Sequence, residues 1–109
     1  MDRVFVITVC RNAAKLIEPT MLSVLNQTYG NLDYIVIDGT TDIIRRNGDR
    51  LSYWVSEPDG GIYDAMNKGV QMAQSMVREG ETAWVNFMNA GDCFSDNEVV
   101  EDFFVEKEG

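Results

Sequence analysis

The feature that most constrains the fold is a nearly unbroken run of apolar and β-branched residues near the start of the chain, VFVITV at residues 4–9. A strand with one solvent-facing side would alternate apolar and polar residues, and this run does not. It therefore predicts a strand that is buried on both faces. Strands of this kind are typical of parallel sheets that are covered by helices.

Similar apolar runs follow at residues 32–37, 51–55 and 83–88, and each predicts a further strand. Segments with helical patterns separate them. Strands that alternate with helices are typical of the α/β class, with right-handed crossover connections. The sequence therefore predicts a single domain, residues 1–109, with three layers: a mainly parallel sheet and helices on both faces.

Helices are expected at residues 19–27, 62–76 and 97–104. The first is expected to begin at its proline, because proline is tolerated in the first turn of a helix. We expect Leu22 and Leu25 to face the sheet. Together these helices would cover the predicted strands on both sides.

Composition excludes several classes of protein. A net charge of −9 and the absence of histidine argue against a nucleic-acid surface and against direct docking on anionic lipid. An acidic chain that binds a diphosphate needs a cation.

Cys10 and Cys93 are too few for a disulfide framework, and we expect both to be reduced and packed near strand ends. No apolar run is long enough for a membrane span and no signal peptide is recognisable, so a cytoplasmic setting is expected.

Polar residues follow the predicted strands where each strand ends. Asn12, Asp38, Asp59 and Asp92 all lie just beyond a predicted strand. The carboxyl ends of parallel strands meet at one edge of the sheet, which is where open α/β sheets bind ligands. The sequence therefore predicts a ligand site at this edge.

One stretch at this edge, SEPDGGIYDAMNKG at residues 56–69, resembles a hallmark segment of the family 2 glycosyltransferases. These are inverting enzymes of GT-A fold that use nucleotide-sugar donors. Four more segments follow the order of that family: ITVCRN, SVLNQTY, YIVIDG and WVNFMNAGD. The resemblance implies a Rossmann-like GT-A nucleotide-binding half, the N-terminal donor-binding part of the enzyme, with the acceptor-binding part absent.

The resemblance also implies which residues contact the nucleotide. They lie at or beyond the strand ends and on the first turns of the helix at 62–76, where residues four apart share a face. The expected nucleotide-binding residues are Val9, Arg11, Asn12, Asp38, Asp59, Gly60, Tyr63 and Asn67.

For a divalent cation, Mg²⁺ or Mn²⁺, the resemblance implies Asp92 as ligand, with Asn89 beside it. The acidic motif of the family commonly reads Asp-x-Asp-Asp, whereas this chain has Asn-Ala-Gly-Asp, so only the final acid is present. One carboxylate suffices for Mg²⁺ or Mn²⁺ when phosphates and waters supply the other ligands. The alternative is that Asp92 only caps a turn.

As a function, the resemblance implies sugar transfer from a nucleotide-diphosphate donor, typically a UDP-sugar. The acceptor would be a glycan or a lipid-linked glycan, in bacterial cell-surface polysaccharide biosynthesis. The catalytic base is expected beyond residue 109, so the chain alone is expected to be inactive. The expected location is cytoplasmic. Peripheral association with the inner face of the membrane and formation of a homodimer are both left open.

Two other functions stay open at this point. A non-catalytic nucleotide-binding module would keep Asp38 and Asp59. A haloacid-dehalogenase-like phosphatase would need an aspartate nucleophile two residues before Asp38, where Val36 stands. The chain also departs from the family between Gly39 and Thr40: either the loop there is short, or the sequence leaves out part of it.

Overall fold

The computed structural model describes residues 2–9, 17–37, 47–55, 62–89 and 91–108. Within them the chain forms four strands, three α-helices and one short 3₁₀ helix at Gly48–Arg50. The strands are β1 (Arg3–Val9), β2 (Leu32–Ile37), β3 (Tyr53–Val55) and β4 (Ala83–Phe87), and the helices are α1 (Ile17–Leu25), α2 (Ile62–Met76) and α3 (Val99–Glu108).

The four strands form one parallel sheet in the order β3-β2-β1-β4. From β1 the chain moves outwards through β2 to β3, and then crosses to the other side of β1 to form β4. The order of the strands thus reverses between β1 and β4. This arrangement confirms the predicted α/β class and the parallel sheet.

One face of the sheet is covered by α1 and α3. Ile17, Met21 and Val24 of α1 pack against Val6 and Val36 of the central strands. Two polar groups lie within this layer, the hydroxyls of Tyr34 and Thr8. They satisfy each other, because the hydroxyl of Tyr34 donates to Oγ1 of Thr8 at 2.8 Å. Next to α1, α3 places Val100 and Phe104 against Val4 and Tyr29.

The other face is covered by α2, which lies very close to the sheet. Ala65 and Ala73 are buried against Phe5, Ile7 and their neighbours on β2. Between them, Gly69 approaches Ile7 so closely that a Cβ atom at position 69 would lie 2.6 Å from Cγ2 of Ile7. The prediction of helices on both faces is therefore confirmed.

The first helix differs from its prediction. It begins at Ile17, before the proline, and ends at Leu25. Leu25 packs partly against the core as expected, but Leu22 is 39% exposed, so its predicted inward orientation is wrong. The reason is that Ile17, Met21 and Val24 recur at helical spacing and occupy the sheet-facing side, which rotates Leu22 away from it.

Smaller differences occur at the ends of other elements. β3 begins two residues later than predicted, although Leu51 before it is buried. α3 covers residues 99–108 instead of 97–104. Cys93 is exposed in the loop after β4, so its predicted packing is wrong, and Cys10 lies outside the described residues. Among the described helices, none combines the length and apolar character that crossing a membrane requires.

Candidate functional site

The reversal of strand order between β1 and β4 marks the candidate site. Pairing of these strands continues one residue beyond β4, where the backbone N–H of Met88 donates to the carbonyl of Ile7 at 2.9 Å. In open parallel sheets, ligands bind outside the carboxyl ends of the strands at such a reversal. The segment that follows Met88 therefore enters the region where a ligand is expected.

That segment forms a turn, which we call the Asp92 turn and define by Asn89, Gly91 and Asp92. The backbone N–H of Asp92 donates to the carbonyl of Asn89 at 3.0 Å. Gly91 has φ of 104°, a left-handed conformation that suits glycine because it has no Cβ. The side chains of Asn89 and Asp92 are both exposed. The turn therefore presents a carboxylate and an amide to solvent at the carboxyl edge.

The Asp92 turn and the chain just after it are attached to α1 by side-chain hydroxyls. Oγ1 of Thr20 accepts a hydrogen bond from the N–H of Gly91 at 2.7 Å. One helical turn further on, Oγ of Ser23 accepts from the N–H of Phe94 at 3.3 Å. The first bond holds the Asp92 turn itself, and the second holds the chain two residues after Asp92.

Gln27 continues this attachment towards α3. Its Nε2 donates to the carbonyl of Asp96 at 2.7 Å, and its Oε1 accepts from the N–H of Val100 at 3.1 Å. Thr20 and Ser23 lie one turn apart on α1, and Gln27 follows two residues after the helix ends; we call these three residues the anchor row. The sequence analysis gave these residues no role. The signal was the recurrence of polar residues at helical spacing within a mostly apolar helix.

The first turns of α2 lie beside the same edge, since α2 is the helix that follows β3. Tyr63 is 79% exposed, and Asn67, one turn later, is exposed too. Both side chains therefore point away from the buried side of α2, which contains Ala65. Val9, at the end of β1, is half-buried and packs against the core beneath α2.

Residues 5–104 match the model of glycosyl transferase family 2. The chain belongs to this family. The family predicted from the five sequence segments is thereby confirmed.

Similar proteins include an uncharacterized glycosyltransferase of Mycobacterium tuberculosis, 39% identical over 103 residues, which cover 89% of this chain and 37% of the relative. A PGL/p-HBAD biosynthesis glycosyltransferase of Mycobacterium bovis is 31% identical over 90 residues, which cover 74% of this chain and 32% of the relative. The chain thus spans about a third of the length of these curated relatives.

Among solved structures, TarS of S. aureus superposes with a TM-score of 0.74 at 19% identity, over 97% of this chain and 19% of that protein. At this level of identity the likeness concerns the fold. It agrees with the GT-A type of nucleotide-binding fold that the family resemblance implied.

Several residues that the family pattern points to lie outside the described residues, so their predicted roles stay predictions. They are Arg11, Asn12, Asp38, Asp59 and Gly60. Of the other predicted site residues, the structure places Val9, Tyr63, Asn67, Asn89 and Asp92 at or just after the carboxyl edge of the sheet.

The family generally uses a divalent cation. In the described part of the chain, no three or more His, Cys, Asp or Glu side chains gather as a potential metal cluster. The donor set that is described, one exposed carboxylate at Asp92 with the amide of Asn89 nearby, suits a hard cation whose remaining ligands are phosphates and waters. These residues therefore fit a cation that binds together with its nucleotide.

Proposed function

We propose that this chain is the donor-binding part of a glycosyltransferase that transfers a sugar from a nucleotide diphosphate to an acceptor. Family membership over residues 5–104 supports the reaction class. The observation that supports the site most directly is the exposed Asp92 turn at the reversal of strand order, where a nucleotide is expected. Membership of a transferase family also favours this function over a phosphatase.

The proposed donor is a UDP-sugar, and the proposed acceptor is a glycan or a lipid-linked glycan. One relative is named a PGL/p-HBAD biosynthesis glycosyltransferase, which agrees with the addition of a sugar during the biosynthesis of a larger product. The acceptor-binding part and the catalytic base are proposed to lie outside residues 1–109. Polysaccharide biosynthesis at the cytoplasmic side of a membrane, and formation of a homodimer, belong to the same proposal.

In this proposal the two sides of the site have different roles. Asp92, assisted by Asn89, holds a Mg²⁺ or Mn²⁺ ion, which supplies positive charge beside the diphosphate leaving group. Asp38 and Asp59 accept hydrogen bonds from the nucleoside. Tyr63 contributes an exposed aromatic surface on the neighbouring helix. A chain with a net charge of −9 needs such a cation to bind a diphosphate.

The test is calorimetric titration with UDP and with uridine, each in Mn²⁺ and in EDTA. We expect the parent to bind UDP more tightly in Mn²⁺, and Asp92→Asn to abolish that difference while uridine affinity stays the same. Asp49→Asn is the matched control, because it removes the same charge from an exposed residue at the start of the 3₁₀ helix. Equal UDP affinity in Mn²⁺ and EDTA for the parent would contradict the metal role.

Asp59→Asn tests the nucleoside side of the site. We expect it to weaken uridine and UDP alike, by about 1–3 kcal/mol if a buried partner loses its hydrogen bond. Hydrolysis of the nucleotide-sugar donor is then measured with a longer form of the protein that is as long as its relatives. This measurement distinguishes an enzyme from a binding module. If binding responds to both substitutions but no nucleotide sugar is turned over, the chain is a nucleotide-binding module.

A further inference from the structure

Thr20 occupies an unusual position on α1. Its side chain is completely buried on the sheet-facing side of the helix, among Ile17, Met21 and Val24. In the described part of the chain, the buried polar residues are Thr8 and Thr20. A valine would have nearly the same shape there and would bring no polar atom into the core. The hydroxyl of Thr20 therefore needs an explanation beyond packing.

The hydroxyl contacts the middle of the Asp92 turn. It accepts the N–H of Gly91, the residue directly before Asp92, at 2.7 Å. The other bond within the turn joins the N–H of Asp92 to the carbonyl of Asn89. The next bond from α1, between Ser23 and Phe94, lies beyond Asp92. Thr20 is thus the member of the anchor row that acts closest to the proposed metal ligand.

The rest of the turn leaves Asp92 with few constraints. Its side chain is exposed, and within the described residues its carboxylate accepts no hydrogen bond and forms no ion pair. The location of the carboxylate therefore depends on the backbone at Gly91 and Asp92. Since glycine has the greatest backbone freedom of any residue, a bond that fixes Gly91 has a large effect on where Asp92 lies.

We propose that Thr20 is a positioning residue: by holding the N–H of Gly91, it places the carboxylate of Asp92 for a divalent cation that binds with the donor diphosphate. This inference rests on the proposed function. Thr20 contacts neither the cation nor the nucleotide, and it acts through the backbone of the Asp92 turn.

The experiment compares Thr20→Val, Thr20→Ser and Ser23→Ala with the parent. Thr20→Val keeps the shape of the side chain and removes its hydroxyl, whereas Thr20→Ser keeps the hydroxyl and removes the methyl group. Ser23→Ala removes a hydroxyl from the same helix that bonds beyond Asp92, so it is the matched control. Each protein is titrated with UDP and uridine in Mn²⁺ and in EDTA, and amide hydrogen exchange is measured at Gly91 by NMR.

We expect Thr20→Val to weaken UDP binding in Mn²⁺ about tenfold, which corresponds to about 1.4 kcal/mol, while uridine affinity and UDP affinity in EDTA stay the same. Exchange at Gly91 should accelerate by about the same factor. Thr20→Ser should restore both quantities to within about twofold of the parent, and Ser23→Ala should leave the metal-dependent binding unchanged.

Four results would overturn the inference. If Thr20→Val weakens uridine and UDP equally, Thr20 has a general structural role. If Gly91 exchange is unchanged, Thr20 does not hold the turn, whatever the ligand. If Thr20→Val leaves the Mn²⁺ dependence intact while Asp92→Asn abolishes it, only the role of Thr20 fails. If Asp92→Asn has no effect either, the metal role of Asp92 in the proposed function fails as well.

Discussion

The two edges of the parallel sheet use polar residues in opposite ways. At the amino edge, the guanidinium of Arg3 on β1 is surrounded by partners. Its Nε lies 2.7 Å from Oδ2 of Asp33, and its Nη1 lies 3.2 Å from Oε1 of Glu81. The same Nη1 donates to the carbonyl of Met76 at 2.6 Å. One cation thus joins β2, the end of α2 and the approach to β4.

These contacts shift the pKa values of Arg3 and Glu81. The pKa of Arg3 is raised, chiefly by its hydrogen bond to Asp33. The pKa of Glu81 is lowered, first by the hydrogen bond from the backbone N–H of Arg78 and then by that from Arg3. Each group therefore favours its charged form, and the charges at this edge satisfy one another.

At the carboxyl edge the arrangement is the reverse. The side chains of Tyr63, Asn67, Asn89 and Asp92 are exposed. The Asp92 turn is held by its backbone, so its carboxylate stays available. The two edges therefore use polar residues differently: at the amino edge charged side chains bond to one another, whereas at the carboxyl edge backbone bonds hold the Asp92 turn and its side chains face solvent.

The largest effect on stability is expected from Arg3→Ala. It leaves Asp33, Glu81 and the carbonyl of Met76 without their shared donor, and charged hydrogen bonds of this kind contribute about 2 kcal/mol. Urea unfolding should show a loss of stability of that size. Arg50→Ala is the control, because it removes an exposed arginine whose side-chain hydrogen bond to the carbonyl of Leu25, its one side-chain bond to the described residues, is long at 3.4 Å. Equal midpoints for the two variants would show that the amino edge is not specially stabilised.

A smaller effect is expected from Glu81→Gln, and it should depend on pH. Because folding lowers the pKa of Glu81, its carboxylate stabilises the fold above the ordinary glutamate pKa, and this contribution disappears as the pH falls through the lowered value. The variant should therefore be less stable than the parent at pH 7 and equal to it in strong acid. Urea midpoints across this range provide the measurement. Glu79→Gln, which removes the same charge from an exposed neighbour, is the control.

The smallest effects are expected at the carboxyl edge. Asp92→Asn and Tyr63→Ala change exposed side chains, so each should stay within about 0.5 kcal/mol of the parent in urea unfolding. Thermal unfolding without ligand gives a second measure. A clear loss of stability from Asp92→Asn would mean that this carboxylate serves the fold, and the contrast between the two edges would fail.

Much of the fold could be predicted because its signals are local. The run at residues 4–9 predicts β1 through its composition alone, and the alternation of strands and helices predicts a parallel sheet. The helix at residues 62–76 was predicted with the bounds that the structure shows. The carboxyl edge followed from the same pattern, because parallel strands end together.

Other features depend on contacts that a linear pattern does not contain. Leu22 and Leu25 offer a second apolar side of α1 beside that of Ile17, Met21 and Val24, so the pattern alone did not decide which side faces the sheet. The partners of Arg3 lie up to 78 positions away in sequence. Thr20 was overlooked because its importance lies in the backbone of Gly91, which only the folded chain brings near.

The close approach of Gly69 to Ile7 has a consequence for the geometry of the site. Gly69 lies six residues after Tyr63, about 9 Å further along the helix axis at 1.5 Å per residue. A side chain at position 69 would push the middle of α2 off the sheet, since its Cβ would start 2.6 Å from Cγ2 of Ile7. Because backbone hydrogen bonds link successive turns of a helix, we expect the displacement to extend towards the first turn. The position of Tyr63 at the carboxyl edge therefore depends on the absence of a side chain at position 69, fewer than two turns away.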